Sequence, residues 1–152
     1  FDPFWARAPE YGLPLTMHIF TGESLDGGLP AHWGTPGGNL KGYTLAHTTA
    51  VNSMIDIICG GVVERFPELK FVISEYETGW VAHTLQRLDH AAYRTPWELA
   101  DGLTMKPSEY FDRNFWVTFE DDQEGIATRH AIGVKNLLSG NDYPHHDSIW
   151  PN

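Results

Sequence analysis

The sequence predicts an α/β fold in which a parallel sheet is built from strands joined by crossover helices. Three observations lead there. A short apolar run followed by a helical apolar stripe recurs about four times along the chain. The runs are nearly continuous instead of alternating, as strands covered on both faces require. Polar residues with metal-binding or acid–base chemistry follow the ends of the runs, where parallel sheets gather their binding groups. The 152 residues read as one domain, 1–152. That is about half of the roughly 250 residues of a complete eight-unit α/β barrel.

The first strand is predicted over Leu13 to Phe20 (LPLTMHIF), with a proline at its start and His18 near its end. Thr21 to Gly42 follows as a long connection rich in glycine, the kind that serves as a lid or binding loop. From Gly42 to Phe66, apolar residues at Val51, Ile55, Ile58, Val62 and Phe66 recur at helical spacing. Gly60-Gly61 inside that stretch weakens it by about 1 kcal/mol per glycine and predicts a kink or a close neighbour. Leu69 to Ser74 (LKFVIS) is the second strand, and Glu75 stands where its apolar run stops.

A further helix has Val81, Leu85, Leu88 and Ala92 on its inner stripe. A short helix is expected at Met105 to Tyr110, where Pro107 suits a first turn. Asn114 to Phe119 (NFWVTF) is the third strand. Asp121 with Glu124 resembles a capping box, and Gly133 is a reasonable stop for the helix between. Lys135 to Leu138 is the fourth strand, and it runs into SGNDYPHH.

Composition limits the partners. Ten Lys plus Arg against twenty Asp plus Glu give a formal net charge of -10, a field that repels phosphate backbones and anionic lipid surfaces. Nucleic acid and membrane are therefore excluded as expected partners, and a small-molecule substrate is favoured. No apolar stretch approaches the roughly 20 residues of a bilayer span, and Phe1-Asp2-Pro3-Phe4-Trp5 has no secretory pattern. The single cysteine, Cys59, closes no intrachain disulfide and has no local cation to activate it. A reducing cytoplasm fits these features.

If the strands are parallel neighbours, His18, Glu75, Glu120 and Asp142 all point toward one end of the sheet. Imidazole nitrogen and carboxylate oxygen both bind zinc, so such a set can hold a divalent metal. Each residue also has an ordinary reading. His18 reads as a hydrogen-bonded core histidine, Asp142 as a turn residue before Pro144, and Glu75 as a helix cap or an ion-pair partner of Arg87 or Arg94. Glu120 competes with helix capping in Glu120-Asp121-Asp122. His32, Trp33 and His47 are placed to face substrate, whereas His83, His90 and His130 fall within helices and read as structural.

Four stretches carry a resemblance that sharpens this reading: LPLTMH from Leu13, GGVVERFPELKFVISE from Gly60, GWVAHTLQRLDH from Gly79 and, most specific, LLSGNDYPHHDS from Leu137. They resemble the carboxyl-terminal half of the amidohydrolase-related proteins typified by aminocarboxymuconate semialdehyde decarboxylase. The resemblance implies the C-terminal half of a (β/α)8 barrel, its fifth through eighth strands. It implies that His18 and Asp142 are metal ligands, that the metal is a divalent ion such as zinc, and that Asp142 also takes or gives a proton. His145 joins His32 and Trp33 as an expected substrate contact.

Two departures from the family pattern stand out. The chain contains no His-x-His pair, the family's metal motif on its first strand. Glu75 stands where the decarboxylases carry a catalytic histidine, which makes Glu75 a candidate catalytic group and leaves hydrolysis and decarboxylation both open. Three readings follow. The chain is part of a metal-dependent hydrolase or lyase; it is a half-barrel that pairs with a second copy or a complementary half; or it is an inactive binding or assembly module.

Overall fold

The computed structural model describes residues 1–19 and 34–151. Its four strands are β1 (Leu15–His18), β2 (Phe71–Ser74), β3 (Phe115–Phe119) and β4 (Leu137–Ser139). They form one sheet in the order β1-β2-β3-β4, and every neighbouring pair is parallel. Helices α1 (Asp2–Glu10), α2 (Gly38–Leu45), α3 (His47–Cys59), α4 (Val62–Arg65), α5 (Gly79–Arg94), α6 (Pro107–Asn114) and α7 (Gln123–Ile132) flank and connect them. The predicted α/β class with a parallel sheet is what the chain adopts.

Strand register decides which side chains meet. Leu15, Phe71 and Phe115 lie side by side, as do Met17, Ile73 and Val117. Phe71, Ile73, Phe115 and Val117 are buried and belong to one core with Met54 and Ile58 of α3, Val63 of α4, Val81 of α5, and Tyr110 and Phe111 of α6. Stacked rings run through it, Phe71 on Phe115 at 4.9 Å and Phe111 on Phe115 at 5.8 Å. The alternate positions, Thr16, His18, Val72, Ser74, Trp116 and Thr118, therefore share the opposite face, because side chains alternate along a strand.

Several boundaries differ from the sequence reading. The predicted helix from Gly42 to Phe66 is three helices, and α2 begins four residues earlier at Gly38, inside the expected loop. The kink or close neighbour expected at Gly60-Gly61 is present: α3 and α4 break there, Gly61 has φ 72, and a Cβ on it would stand 3.2 Å from Ala100. The cap of α7 is Asp122, not Asp121, with its side chain accepting from Gly125 N–H at 2.8 Å. Helix α1 was not foreseen; Pro3 sits in its first turn and Trp5 packs edge-on to Phe71 at 6.1 Å.

Two buried asparagines repeat one device at the amino ends of the strands. Asn114, next to β3, donates to Pro67 O at 3.0 Å and Leu69 O at 2.7 Å. Asn136, next to β4, donates to Asp112 O at 3.0 Å and Phe115 O at 2.7 Å. Each amide ties the entry of one strand to the entry of the strand before it. No helix among the described residues is long and apolar enough to cross a membrane.

Candidate active site

The parallel sheet brings the carboxyl ends of all four strands to one edge; of the polar residues foreseen there, Glu75 and Asp142 fall in one group of possible ligands, while His18, expected to share a metal with Asp142, lies against Glu75 and outside that group. His18, the last residue of β1, pairs in register with Ser74, so Glu75 is one residue beyond its neighbour. His18 Nε2 and Glu75 Oε2 are 2.6 Å apart. His18 Nδ1 lies 3.1 Å from Ile19 O. A proton lies between Nε2 and Oε2 at that distance, so His18 and Glu75 form a hydrogen-bonded pair. The ion-pair reading of Glu75 with Arg87 or Arg94 is not realised; its partner is His18.

From the loop after β4, Asp142 and His145 join the set. Ligand atoms of Glu75, Asp142 and His145 all lie within 4.8 Å of one another. Ends of strands two apart in a sheet are about 10 Å apart, so it is the side chains that close this gap. Asp142 Oδ2 is buried and accepts no hydrogen bond, yet His145 Nδ1 stands 2.7 Å from it. The two atoms form an ion-pair contact, and both are donors of the kind a divalent cation takes. The donor set passes the test for a divalent metal on chemistry as well, since two carboxylates and an imidazole are ordinary ligands for zinc or manganese.

Glu75 and Asp142 have φ of 66 and 49, left-handed backbone that non-glycine residues seldom adopt. Such conformations persist where the surroundings over-determine them and concentrate at functional sites. Beside these residues opens a cavity of about 320 Å³, lined among others by Tyr43, His47, Tyr76, Trp80, Glu120 and Asp147. His47 stacks on Trp80 with ring centroids 6.3 Å apart, which brings the predicted substrate-facing His47 to the cavity wall. Tyr43 Oη is 3.1 Å from His146 Nε2 and ties α2 to the loop after β4.

Sequence reasoning passed over Tyr43, Tyr76 and Trp80; their only signal was the high aromatic content. His32 and Trp33 lie outside the described residues. His83, His90 and His130 are exposed on α5 and α7, away from the cavity lining. The sulfur of Cys59 is flanked by no cation that would activate it, and burial followed by Asp56 pushes its pKa up.

Glu120 is the unplaced carboxylate. Burial, then the charges of Asp142, Glu75, Glu77 and Asp147, raise its pKa to about 7. Burial also raises Glu75 and Glu77. An acid whose folded pKa exceeds its unfolded value holds its proton longer in the native state, so this contribution is complete below about pH 4.3 and disappears as pH rises through 7. Metal-free protein is expected to melt at higher temperature near pH 5.5 than near pH 7.5 at constant ionic strength. Glu120→Gln should flatten that slope, and an unchanged slope in the variant would remove Glu120 from the linkage.

The chain belongs to the amidohydrolase family, whose sequence model matches residues 1–152. An amidohydrolase from Mycobacterium avium subsp. paratuberculosis K-10 is 30% identical and superposes with a TM-score of 0.74 over 97% of this chain and 37% of its own. The 5-carboxyvanillate decarboxylase of Sphingomonas paucimobilis is 26% identical, with a TM-score of 0.65 over 95% of this chain and 43% of that one. A dihydroxybenzoic acid decarboxylase from Polaromonas sp. JS666, solved with bound manganese and the inhibitor 2-nitroresorcinol, shares 20% identity and a TM-score of 0.62, covering 93% and 42%. That last likeness shows the fold alone. The chain spans less than half the length of each of these structures, as a partial α/β barrel does.

Proposed function

We propose that this chain contributes the metal-binding carboxyl-terminal half of a barrel that hydrolyses or decarboxylates a small carboxylated or ring-derived substrate. The observation that carries this reading is the convergence of Glu75, Asp142 and His145, with His18 held against Glu75. These residues would hold the metal, which we take to be zinc on the donor set, although a manganese-containing relative keeps that ion in the comparison. When bound, the metal supplies Lewis-acid polarisation.

The residues supply the rest. Asp142, with a buried oxygen 2.7 Å from His145 Nδ1, accepts or returns a proton at the reacting centre. Glu75 orients the attacking water or the departing substrate group. The stacked His47 and Trp80, with Tyr43, offer apolar faces to a ring, and the cavity they line is of the size that takes one. His32, Trp33 and His145 remain proposed substrate contacts. A cytoplasmic setting is proposed on composition alone.

The outer edges of β1 and β4 have no neighbouring strand among the described residues, and exposed Leu138 lies at one of them. We propose that complementary barrel strands, from the same polypeptide or from a second copy, cover those edges, since uncovered strand edges invite pairing.

The test is elemental analysis of the purified full-length protein with a decarboxylation assay on 5-carboxyvanillate and 2,6-dihydroxybenzoate, together with a screen of carboxylated amides for hydrolysis. About one zinc or manganese per chain and turnover that chelator abolishes are expected. A protein that takes up neither ion would overturn the reading. Glu75→Gln should cost turnover about 100-fold or more while leaving the fold intact, because the neutral amide keeps the shape and loses the charge. Full kcat/KM in that variant would return Glu75 to a structural role.

A further inference from the structure

Six carboxylates crowd the carboxyl ends of the strands: Glu75, Glu77, Glu120, Asp122, Asp142 and Asp147. Their partners divide them. Glu75 and Asp142 face imidazoles, whereas Glu77 and Asp122 are committed to backbone and hydroxyl donors. Glu77 Oε2 accepts from Glu120 N–H at 3.1 Å and its Oε1 from Asp121 N–H at 3.2 Å. In return Asp122 Oδ2 accepts from Thr78 N–H at 2.5 Å, Gly79 N–H at 2.7 Å and Thr78 Oγ1–H at 2.8 Å. The loop after β2 thus lends a carboxylate to the loop after β3 and receives one back.

A third tie sits at the ligand itself, for the N–H of Glu75 donates to Thr118 Oγ1 of β3 at 2.9 Å. Between these ties the backbone takes left-handed geometry at both Glu75 and Glu77, φ 66 and 53. Neither residue favours that conformation, so its persistence needs an outside constraint, and the exchanged carboxylates are that constraint. Close packing leaves the arrangement little slack. A Cβ on Gly125 would fall 1.9 Å from Thr78 Oγ1 and 2.3 Å from Asp122 Oδ2.

We infer that Glu77 and Asp122 are positioning residues, whose reciprocal hold between the loops after β2 and β3 keeps the Glu75 carboxylate where it shares a cation with Asp142 and His145. This rests on the metal-site reading above. It assigns the crowd of acids two tasks: some meet the cation, and others fix the backbone that presents them.

The test measures Zn²⁺ affinity of the full-length, metal-stripped protein by competition with a chromophoric chelator. Glu77→Gln presents one acceptor and one donor to two N–H groups, and Asp122→Asn does the same to its own donors. Each should weaken Zn²⁺ binding about 10-fold or more, the usual cost of losing a group that orients a metal ligand. Thr118→Val, which removes only the acceptor of the Glu75 N–H and keeps the side-chain shape, should weaken it in the same direction and serves if the amide variants fail to fold. Asn136→Ala, at the other end of the sheet, should lower the melting temperature and leave Zn²⁺ affinity alone. Wild-type affinity in the loop variants, or weakening that merely follows the loss of stability and appears equally in Asn136→Ala, overturns this inference while the metal site stands. A wild-type protein that binds no Zn²⁺ overturns both.

Discussion

Asp142→Asn is expected to lower Zn²⁺ affinity about 100-fold or more and to reduce turnover of the full-length protein to background, with the fold retained. The fold survives because asparagine tolerates the left-handed backbone that Asp142 adopts at φ 49 at least as well as aspartate. Binding fails because a carboxamide has no charge to offer and places a donor where His145 Nδ1 now lies 2.7 Å from Oδ2. One repulsion also disappears: after burial, the charge of Asp142 does most to raise Glu120, so Glu120 should titrate lower in the variant. Chelator competition, turnover and the pH dependence of melting read the three consequences separately. Unchanged affinity and unchanged turnover would take Asp142 out of the site.

Asn114→Ala should cost about 2–4 kcal/mol, or a fall of roughly 5–15 °C in melting temperature for a chain of this size. Asn114 is fully buried, and its amide serves Pro67 O and Leu69 O while its Oδ1 accepts from Arg113 Nε at 2.8 Å. Alanine leaves those carbonyls facing a cavity without a donor. Asn136→Ala should cost less, since the Oδ1 of Asn136 already lacks a partner and its removal relieves that deficit. Thermal unfolding of the two variants side by side checks the order, and a larger loss in Asn136→Ala would contradict it.

Strand positions were legible because their chemistry is local. LTMH, FVIS and FWVTF are short apolar runs that end in turn or polar residues, and each became a strand within two residues of the expected ends. Helix limits were less legible. The break at Gly60-Gly61 was foreseen from the glycines themselves, but the neighbour that Gly61 meets at positive φ, Ala100, is 39 residues away and was not. Helix α1 was not foreseen, and the contact of its Trp5 with Phe71 of β2 joins residues 66 positions apart, beyond the reach of local pattern.

The site divides in the same way. His18, Glu75 and Asp142 were identified by type and by place after a strand, and the resemblance gave two of them a metal. That Glu75 would lie against His18, that His145 would stand with Asp142 instead of only facing substrate, and that Glu77 and Asp122 would be bound to each other's loops were not readable, since each depends on partners 43 or more residues away or on the direction of a turn.

By itself the sequence determined the α/β class, the four strands, and the residue types that follow their ends, because hydrophobic period and residue type act over a few neighbouring residues. Only the tertiary structure decided which of those acids face one another and which are neutralised by amides. Parallel register places loops from distant segments side by side, and a carboxylate becomes a ligand or a brace according to what stands within 3 Å of it.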